Sequence, residues 1–168
     1  MGRDFRKVWN CVSSVLVALV VLLAVLLAGA RLFGLQVFTI LSGSMEPNYP
    51  VGSLIYVKSV EPSQVKEGDV ITFLLSDSLT ATHRVVEIVD EGDGALRFRT
   101  KGDANDAQDV ALVHQNNLLG EPVACIPYLG YFAVWVQNPP GSFIAIGAGA
   151  LLVLLAFLPD LLFKKRER

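Results

Sequence analysis

Two long runs without a single charge set what this chain can become. Cys11 to Ala30 and Gly141 to Leu158 carry no Asp, Glu, Lys or Arg, and at about 1.5 Å per helical residue each reaches roughly the 30 Å of a bilayer's hydrocarbon core. Val and Leu crowd all faces of the first run, so it has no polar side to turn to water. A hydrophobic content of 52% against 18% charge is too apolar for an ordinary soluble domain of 168 residues, and the excess sits in these runs. The expectation is a transmembrane helix over residues 11–33, a second over 141–162, and one domain at 34–140 between them.

Charge gives the arrangement a direction. Arg3, Arg6 and Lys7 precede the first run, and Lys164, Lys165, Arg166 and Arg168 follow the second. Residues 31–140 hold 13 acidic against 7 basic side chains. By the positive-inside rule the basic ends, 1–10 and 163–168, are expected in the cytoplasm and the acidic middle outside the membrane. An acidic domain offers nothing to nucleic acid, so no nucleic-acid partner is expected. A rival reading makes the N-terminus a cleaved signal peptide, since Ala28-Gly29-Ala30 resembles an A-x-A cleavage site. The run exceeds the 7 to 15 residues typical of such a segment, which favours a retained anchor, with self-cleavage at Ala30 as a side possibility. On this topology Cys11 and Cys125 lie on opposite sides of the bilayer and form no disulfide; Cys125 reads as a small buried hydrophobe.

The middle is read as a small antiparallel β domain, so the fold class is mainly β between two membrane helices. Short β-type runs at Gln36–Leu41, Ser53–Lys58, Val70–Leu75, Thr82–Asp90, Ala95–Thr100 and Leu118–Cys125 are separated by turn residues. Glu91-Gly92-Asp93-Gly94 predicts a hairpin over Arg84–Thr100. That hairpin puts His83 at its opening and Asp103 just past its close, bringing residues about twenty apart in sequence into one neighbourhood. Gly102–Asn117 is polar and expected to be irregular. Tyr128, Tyr131, Phe132 and Trp135 form an aromatic-rich approach to the second run, as an interfacial belt would.

Chemistry has few places to reside. Leu41-Ser42-Gly43-Ser44-Met45-Glu46-Pro47 puts two hydroxyls and a glycine close behind the first apolar run. Ser and Gly are ordinary turn residues, so the stretch alone is ambiguous. A nucleophilic serine needs a base and donors for an oxyanion. His83 and His114 are the chain's two histidines, and no lysine occurs between Ser42 and Glu46. His114 falls in a loop-like stretch, whereas His83 is flanked by strand residues. Lys101-Gly102-Asp103-Ala104-Asn105-Asp106-Ala107-Gln108-Asp109 supplies three carboxylates able to accept a histidine Nδ1 proton. The same loop fits calcium poorly: Asp103 and Asn105 match the first and third positions of an EF-hand loop, but Ala107, Gln108 and His114 stand where a ligand, Gly and Glu belong. No metal or other cofactor is expected. A sortase-like alternative pairing Cys125 with His114 would need an activated thiolate, and Ala124-Cys125-Ile126-Pro127 is apolar.

Taken in order, Ser42-Gly43-Ser44-Met45-Glu46-Pro47, then Thr82-His83-Arg84-Val85, then Lys101-Gly102-Asp103 with Asp109 six residues on, resemble type I signal peptidases. The likeness is to the endoplasmic-reticulum and archaeal type, including SipW-like bacterial enzymes, in which histidine replaces a lysine base. It covers about Phe38 to Tyr131. The resemblance implies a β domain of signal-peptidase type, with Ser44 as nucleophile and His83 as general base. It also implies that Ser42 and the Ser44 N–H form the oxyanion hole, that Asp109 is the third catalytic residue, and that Asp103 is needed for activity or local structure. Asp106 sits between the two, and the sequence leaves open which carboxylate touches His83.

The implied function is that of a membrane serine endopeptidase removing signal peptides after small-x-small sites. Its expected partners are signal-peptide-bearing preproteins, the lipid bilayer and the secretion translocon, and its expected location is the plasma membrane. Histidine ordinarily titrates near pH 6.5, which suits a base working at neutral pH. The strand ending at Leu41 is expected to pair with extended substrate by β-addition. The alternative from another class is a non-enzymatic membrane-anchored β domain, an assembly or binding subunit whose Ser44 and His83 are structural.

Overall fold

The computed structural model describes the chain at residues 2–76, 79–92 and 94–163, and the side chains within those bounds at 7–26 and 29–155. Lys164, Lys165, Arg166, Arg168 and the turn residue Asp93 lie outside the described residues, and Arg3 and Arg6 are described in backbone only. Two compact units emerge, Ala30–Val134 and a helical unit of Met1–Gly29 with Trp135–Arg168.

In the helical unit, α1 spans Gly2–Ala28 and α3 spans Gly141–Phe163. Lys7–Leu26 of α1 is 20 residues long, apolar and unburied, long enough to cross a membrane. The described side chains of α3 end at Leu155, and they reach span length only when counted with α2, Leu129–Gln137, as one broken span. Trp9 of α1 donates its indole N–H to the Leu155 carbonyl of α3 at 3.2 Å. The aromatic approach expected before the second run is itself helical as α2. Asn138-Pro139-Pro140 separates α2 from α3, since proline lacks the N–H that continues a helix.

The other unit is a seven-stranded sheet with every pairing antiparallel among the described residues. Its strands are β1 (Leu35–Thr39), β2 (Leu54–Lys58), β3 (Val70–Ser76), β4 (Leu79–Asp90), β5 (Leu96–Lys101), β6 (Val113–His114) and β7 (Leu118–Ile126). They are ordered β1-β2-β7-β3-β4-β5-β6. The expected hairpin is present as β4–β5, paired from Arg84↔Lys101 to Asp90↔Leu96.

Three sequence expectations change. β4 begins at Leu79 and pairs with β3 as a second hairpin, so His83 lies inside a strand, opposite Ile71, and not at a strand mouth. The stretch taken as irregular contains β6, where Val113 and His114 pair with Phe98 and Arg97. The strand expected to run to Leu41 ends its regular pairing at Thr39.

Strand β7 ties the sheet together. Its Glu121–Ile126 half pairs with β2, and Leu118 and Gly120 pair with β3. The handover needs a glycine: a Cβ on Gly120 would lie 2.0 Å from the Lys58 carbonyl oxygen. One apolar cluster gathers Val65, Ile71, Phe73, Val85, Phe98 and Val113 under β3–β6. A second gathers Ile40, Ile55 and Val57, with Phe38, Tyr49 and Cys125 packed on it. Burying a side chain such as Phe98 contributes about 1.5–3 kcal/mol, so these clusters fix where β1's end and β4 lie.

Candidate active site

Ser44 occupies a single 3₁₀ turn, Gly43–Met45, just beyond the end of β1. The turn is anchored from inside by Met45, whose side chain is only 1% exposed. It is held from outside by the acidic loop, where the Ala104 N–H donates to the Ser44 carbonyl at 2.9 Å and the Asp103 N–H reaches Met45 Sδ at 3.4 Å. Approach this close requires a residue without a side chain: a Cβ on Gly102 would sit 2.6 Å from the Ser44 carbonyl oxygen. The loop that supplies the carboxylates therefore also grips the serine's backbone.

His83 projects from β4 just before its pairing with β5 begins at Arg84. The Phe73 ring meets the imidazole edge-on, with centroids 6.3 Å apart. His83 Nε2 lies 3.1 Å from Ser44 Oγ, and Nδ1 lies 2.6 Å from Asp109 Oδ2. The same Asp109 oxygen accepts the Thr100 hydroxyl at 2.6 Å, and the Asp109 N–H donates to the Thr100 carbonyl at 2.8 Å. Ser42 Oγ is 3.2 Å from Ser44 Oγ. Serine, imidazole and carboxylate thus form one unbroken line, with a second hydroxyl beside the first.

Asp103 does different work. Its carboxylate receives Arg84 Nε at 2.8 Å, Arg84 Nη2 at 2.7 Å and Asn48 Nδ2 at 2.7 Å. Arg84 directly follows His83, and Asn48 lies on the segment leaving Ser44, so Asp103 joins the two segments without touching the imidazole line. The hydrogen bond from Arg84 holds the Asp103 carboxyl below the ordinary carboxylate range against the upward push of burial, and the Asn48 hydrogen bond adds to the lowering. Among the described residues, Asp106 bonds to none of these groups. Among the described residues no three His, Cys, Asp or Glu side chains group as metal ligands. His114 serves a turn, its Nδ1 accepting the Asn116 N–H at 3.1 Å, and both cysteines are free thiols.

Thr100 and Asn48 were not singled out from sequence. Thr100 carried a readable signal: with Phe98 it forms the inward alternation of β5, and a polar residue at an inward position demands a partner. Asn48 carried none, because its partner Asp103 is 55 residues away.

A groove of about 520 Å³ runs past Ser44, walled by Phe38–Ser42 on one side and Leu79–His83 on the other, with Leu75 at its rim. The Ile40 N–H donates to the Ser53 carbonyl, and the Ile40 carbonyl accepts the Gly52 N–H. By strand alternation the backbone groups of Thr39 then turn away from β2, and Thr39 and Leu41 both line the groove.

A hydroxyl, an imidazole and a carboxylate in this order are the constellation that serine hydrolases of unrelated folds share, here set on an antiparallel β unit in a chain that also carries an apolar helix of membrane length. Residues 12–93 match the family model for signal peptidase, peptidase S26. The chain is 36% identical to signal peptidase I W of Bacillus subtilis over 121 residues, 67% of this chain and 63% of that protein. It is 30% identical over 146 residues to the signal peptidase complex catalytic subunit sec11 of Schizosaccharomyces pombe, covering 71% of this chain and 77% of the relative. To the signal peptidase complex catalytic subunit SEC11C of Rattus norvegicus it is 26% identical over 128 residues, 70% of this chain and 67% of the relative. This chain belongs to the signal peptidase, peptidase S26 family. It spans less than two thirds of the length of the Bacillus protein.

Proposed function

We propose that the chain is a membrane-anchored serine endopeptidase that cleaves signal peptides from exported preproteins after small-x-small sites. The observation that carries the reading is the line Ser44 Oγ, His83 Nε2, His83 Nδ1, Asp109 Oδ2, with steps of 3.1 and 2.6 Å at its two hydrogen bonds.

With Nδ1 protonated and donating to Asp109, the Nε2 lone pair faces the Ser44 hydroxyl. His83 takes that proton as Oγ attacks the scissile carbonyl, and the Ser44 N–H with the Ser42 hydroxyl stabilises the oxyanion. The imidazolium then protonates the leaving amine, which departs with the mature chain. Water, deprotonated by the same His83, hydrolyses the acyl-enzyme and returns the proton to Ser44. Asp109 holds the tautomer and offsets the imidazolium charge, and Asp103 keeps the Ser44 and His83 segments in register.

Substrate enters as an extended strand against the open side of Thr39–Leu41, placing its small side chains in the groove. Residues 11–33 and 141–162 cross the plasma membrane with both basic ends in the cytoplasm, and 34–140 faces outward. The Trp9–Leu155 hydrogen bond and the 23-residue length of α3 support α3 as the second span. Preproteins and lipid are the expected partners, with the secretion translocon close by.

The test is reconstitution of the full chain in phospholipid vesicles with a model preprotein. Wild type is expected to release the signal peptide, and Ser44→Ala and His83→Ala to lose cleavage by at least about a thousandfold. Cleavage by Ser44→Ala at the wild-type rate would show that another group is the nucleophile, and no cleavage by wild type would favour the non-enzymatic subunit.

A further inference from the structure

Beyond the groove, the imidazole borders a second cavity of about 360 Å³ on the side of Asp109. Phe73, Leu75, Ala81, Leu112 and Val113 give it an apolar lining, Asp109 stands in its wall, and Val110, 99% exposed, rises at its edge. Leu75, Ala81 and His83 line both cavities, so the two adjoin at the imidazole. Ser44 belongs to the groove alone and Asp109 to the second cavity alone.

Chemistry assigns the two halves. The acyl part of a substrate must stay with Ser44, hence in the groove. The leaving nitrogen must come within hydrogen-bond reach of His83 Nε2 to receive its proton, so the chain beyond it departs across the ring towards Ala81 and Leu75. Resting on the reading of Ser44 and His83 as nucleophile and base, we propose that this cavity receives an apolar side chain from the first two residues beyond the scissile bond. Substrates are then selected on the mature side of the cut as well as on the signal side. The Asp109 carboxylate in the wall repels Asp or Glu at the same position, which supplies a rejection as well as a preference.

The experiment uses the full chain in detergent micelles. Its substrates are peptides with one fixed small-x-small site and Leu, Gly or Asp placed in turn at each of the first two positions after it. At one of these positions kcat/KM for Leu should exceed that for Gly by about tenfold or more, with Asp below Gly. Ala111→Phe, whose ring would enter from the exposed side of the cavity, should bring the Leu-to-Gly ratio towards one; damage to folding alone lowers all rates and leaves the ratio standing. Leu112→Ala, which removes apolar lining, should lower the Leu-to-Gly ratio. Equal rates for the three peptides at both positions, or a ratio untouched in both variants, overturn the proposal. Binding of the same peptides to Ser44→Ala separates it from the catalytic reading. An apolar preference in Kd without cleavage by wild type keeps the cavity and removes the mechanism, and cleavage without any preference does the reverse.

Discussion

At the residue scale the site turns on how two aspartates six positions apart are spent. Asp109 accepts both His83 and Thr100 on one oxygen, whereas Asp103 is taken by Arg84 and Asn48. Thr100 is fully buried, so Thr100→Val keeps its shape and removes one of two donors from a carboxylate. A hydrogen bond to a charged group contributes about 1.5–3 kcal/mol, so kcat should fall about tenfold to a hundredfold with KM little changed, and Thr100→Ser should restore it. Steady-state kinetics on a preprotein peptide reads this directly. Asp103 makes a prediction about stability instead. Its folded carboxyl titrates below its unfolded value because of Arg84, so its contribution is complete above the ordinary carboxylate range and is lost as pH falls through the folded value. Asp103→Asn should therefore melt below wild type at pH 7, with the gap closing below about pH 4 in thermal melts; a gap constant with pH would mean the charge is not the cause. The sequence displayed both carboxylates and the histidine but could not apportion them, because a loop between 102 and 109 can present either. Burial and the Arg84 partnership are set by the packed sheet, not by spacing.

At the scale of elements, the site is a meeting of three short pieces: the turn after β1, the middle of β4 and the loop after β5. The β4–β5 hairpin was legible because Gly92 and Gly94 flank its turn and apolar residues alternate on both sides. The β3–β4 hairpin was not, since the sequence between them, Ser76-Asp77-Ser78, lacks glycine and proline. That omission is why His83 read as a residue at a strand mouth, when β3 pairing holds it inside β4. α2 was hidden because its aromatic composition suits an interface as well as a helix. The loop's grip on the serine is the element-scale claim with a sharp test. Gly102→Ala would drive a methyl against the Ser44 carbonyl, which must shift, and near 3 Å geometry such shifts are costly to catalysis. The variant should lose at least about tenfold in kcat while remaining folded by circular dichroism, a loss disproportionate to its change in Tm.

For the whole molecule, what sequence revealed most directly was the apolar helix α1, because a charge-free run of helical length needs no tertiary information to be read. On the proposed function, α1 held in the bilayer as an anchor would give selectivity a physical basis that pocket shape alone lacks. Small-x-small triplets are frequent in any sequence, and an enzyme cutting all of them would destroy its substrates. Such tethering would confine Ser44 to a narrow range of heights, and a signal peptide's own apolar helix would fix its cleavage site at a matching height. Extended chain advances about 3.3 Å per residue, so four Gly-Ser residues inserted between a substrate's apolar helix and its cleavage site displace that site by roughly 13 Å. In vesicles this insertion should reduce cleavage at least about tenfold, whereas in detergent micelles, where no shared plane registers enzyme against substrate, the two preproteins should be cut at similar rates. Gel assays of both preproteins in both settings give the comparison. Equal cleavage in vesicles would mean that the tether only concentrates enzyme and substrate, and that discrimination lies entirely in the groove beside Ser44. A loss of the same size in micelles would mean that the inserted residues spoil recognition by sequence. The vesicle-specific loss is the outcome that height selection requires, because only a common bilayer converts residues of spacing into distance from the serine.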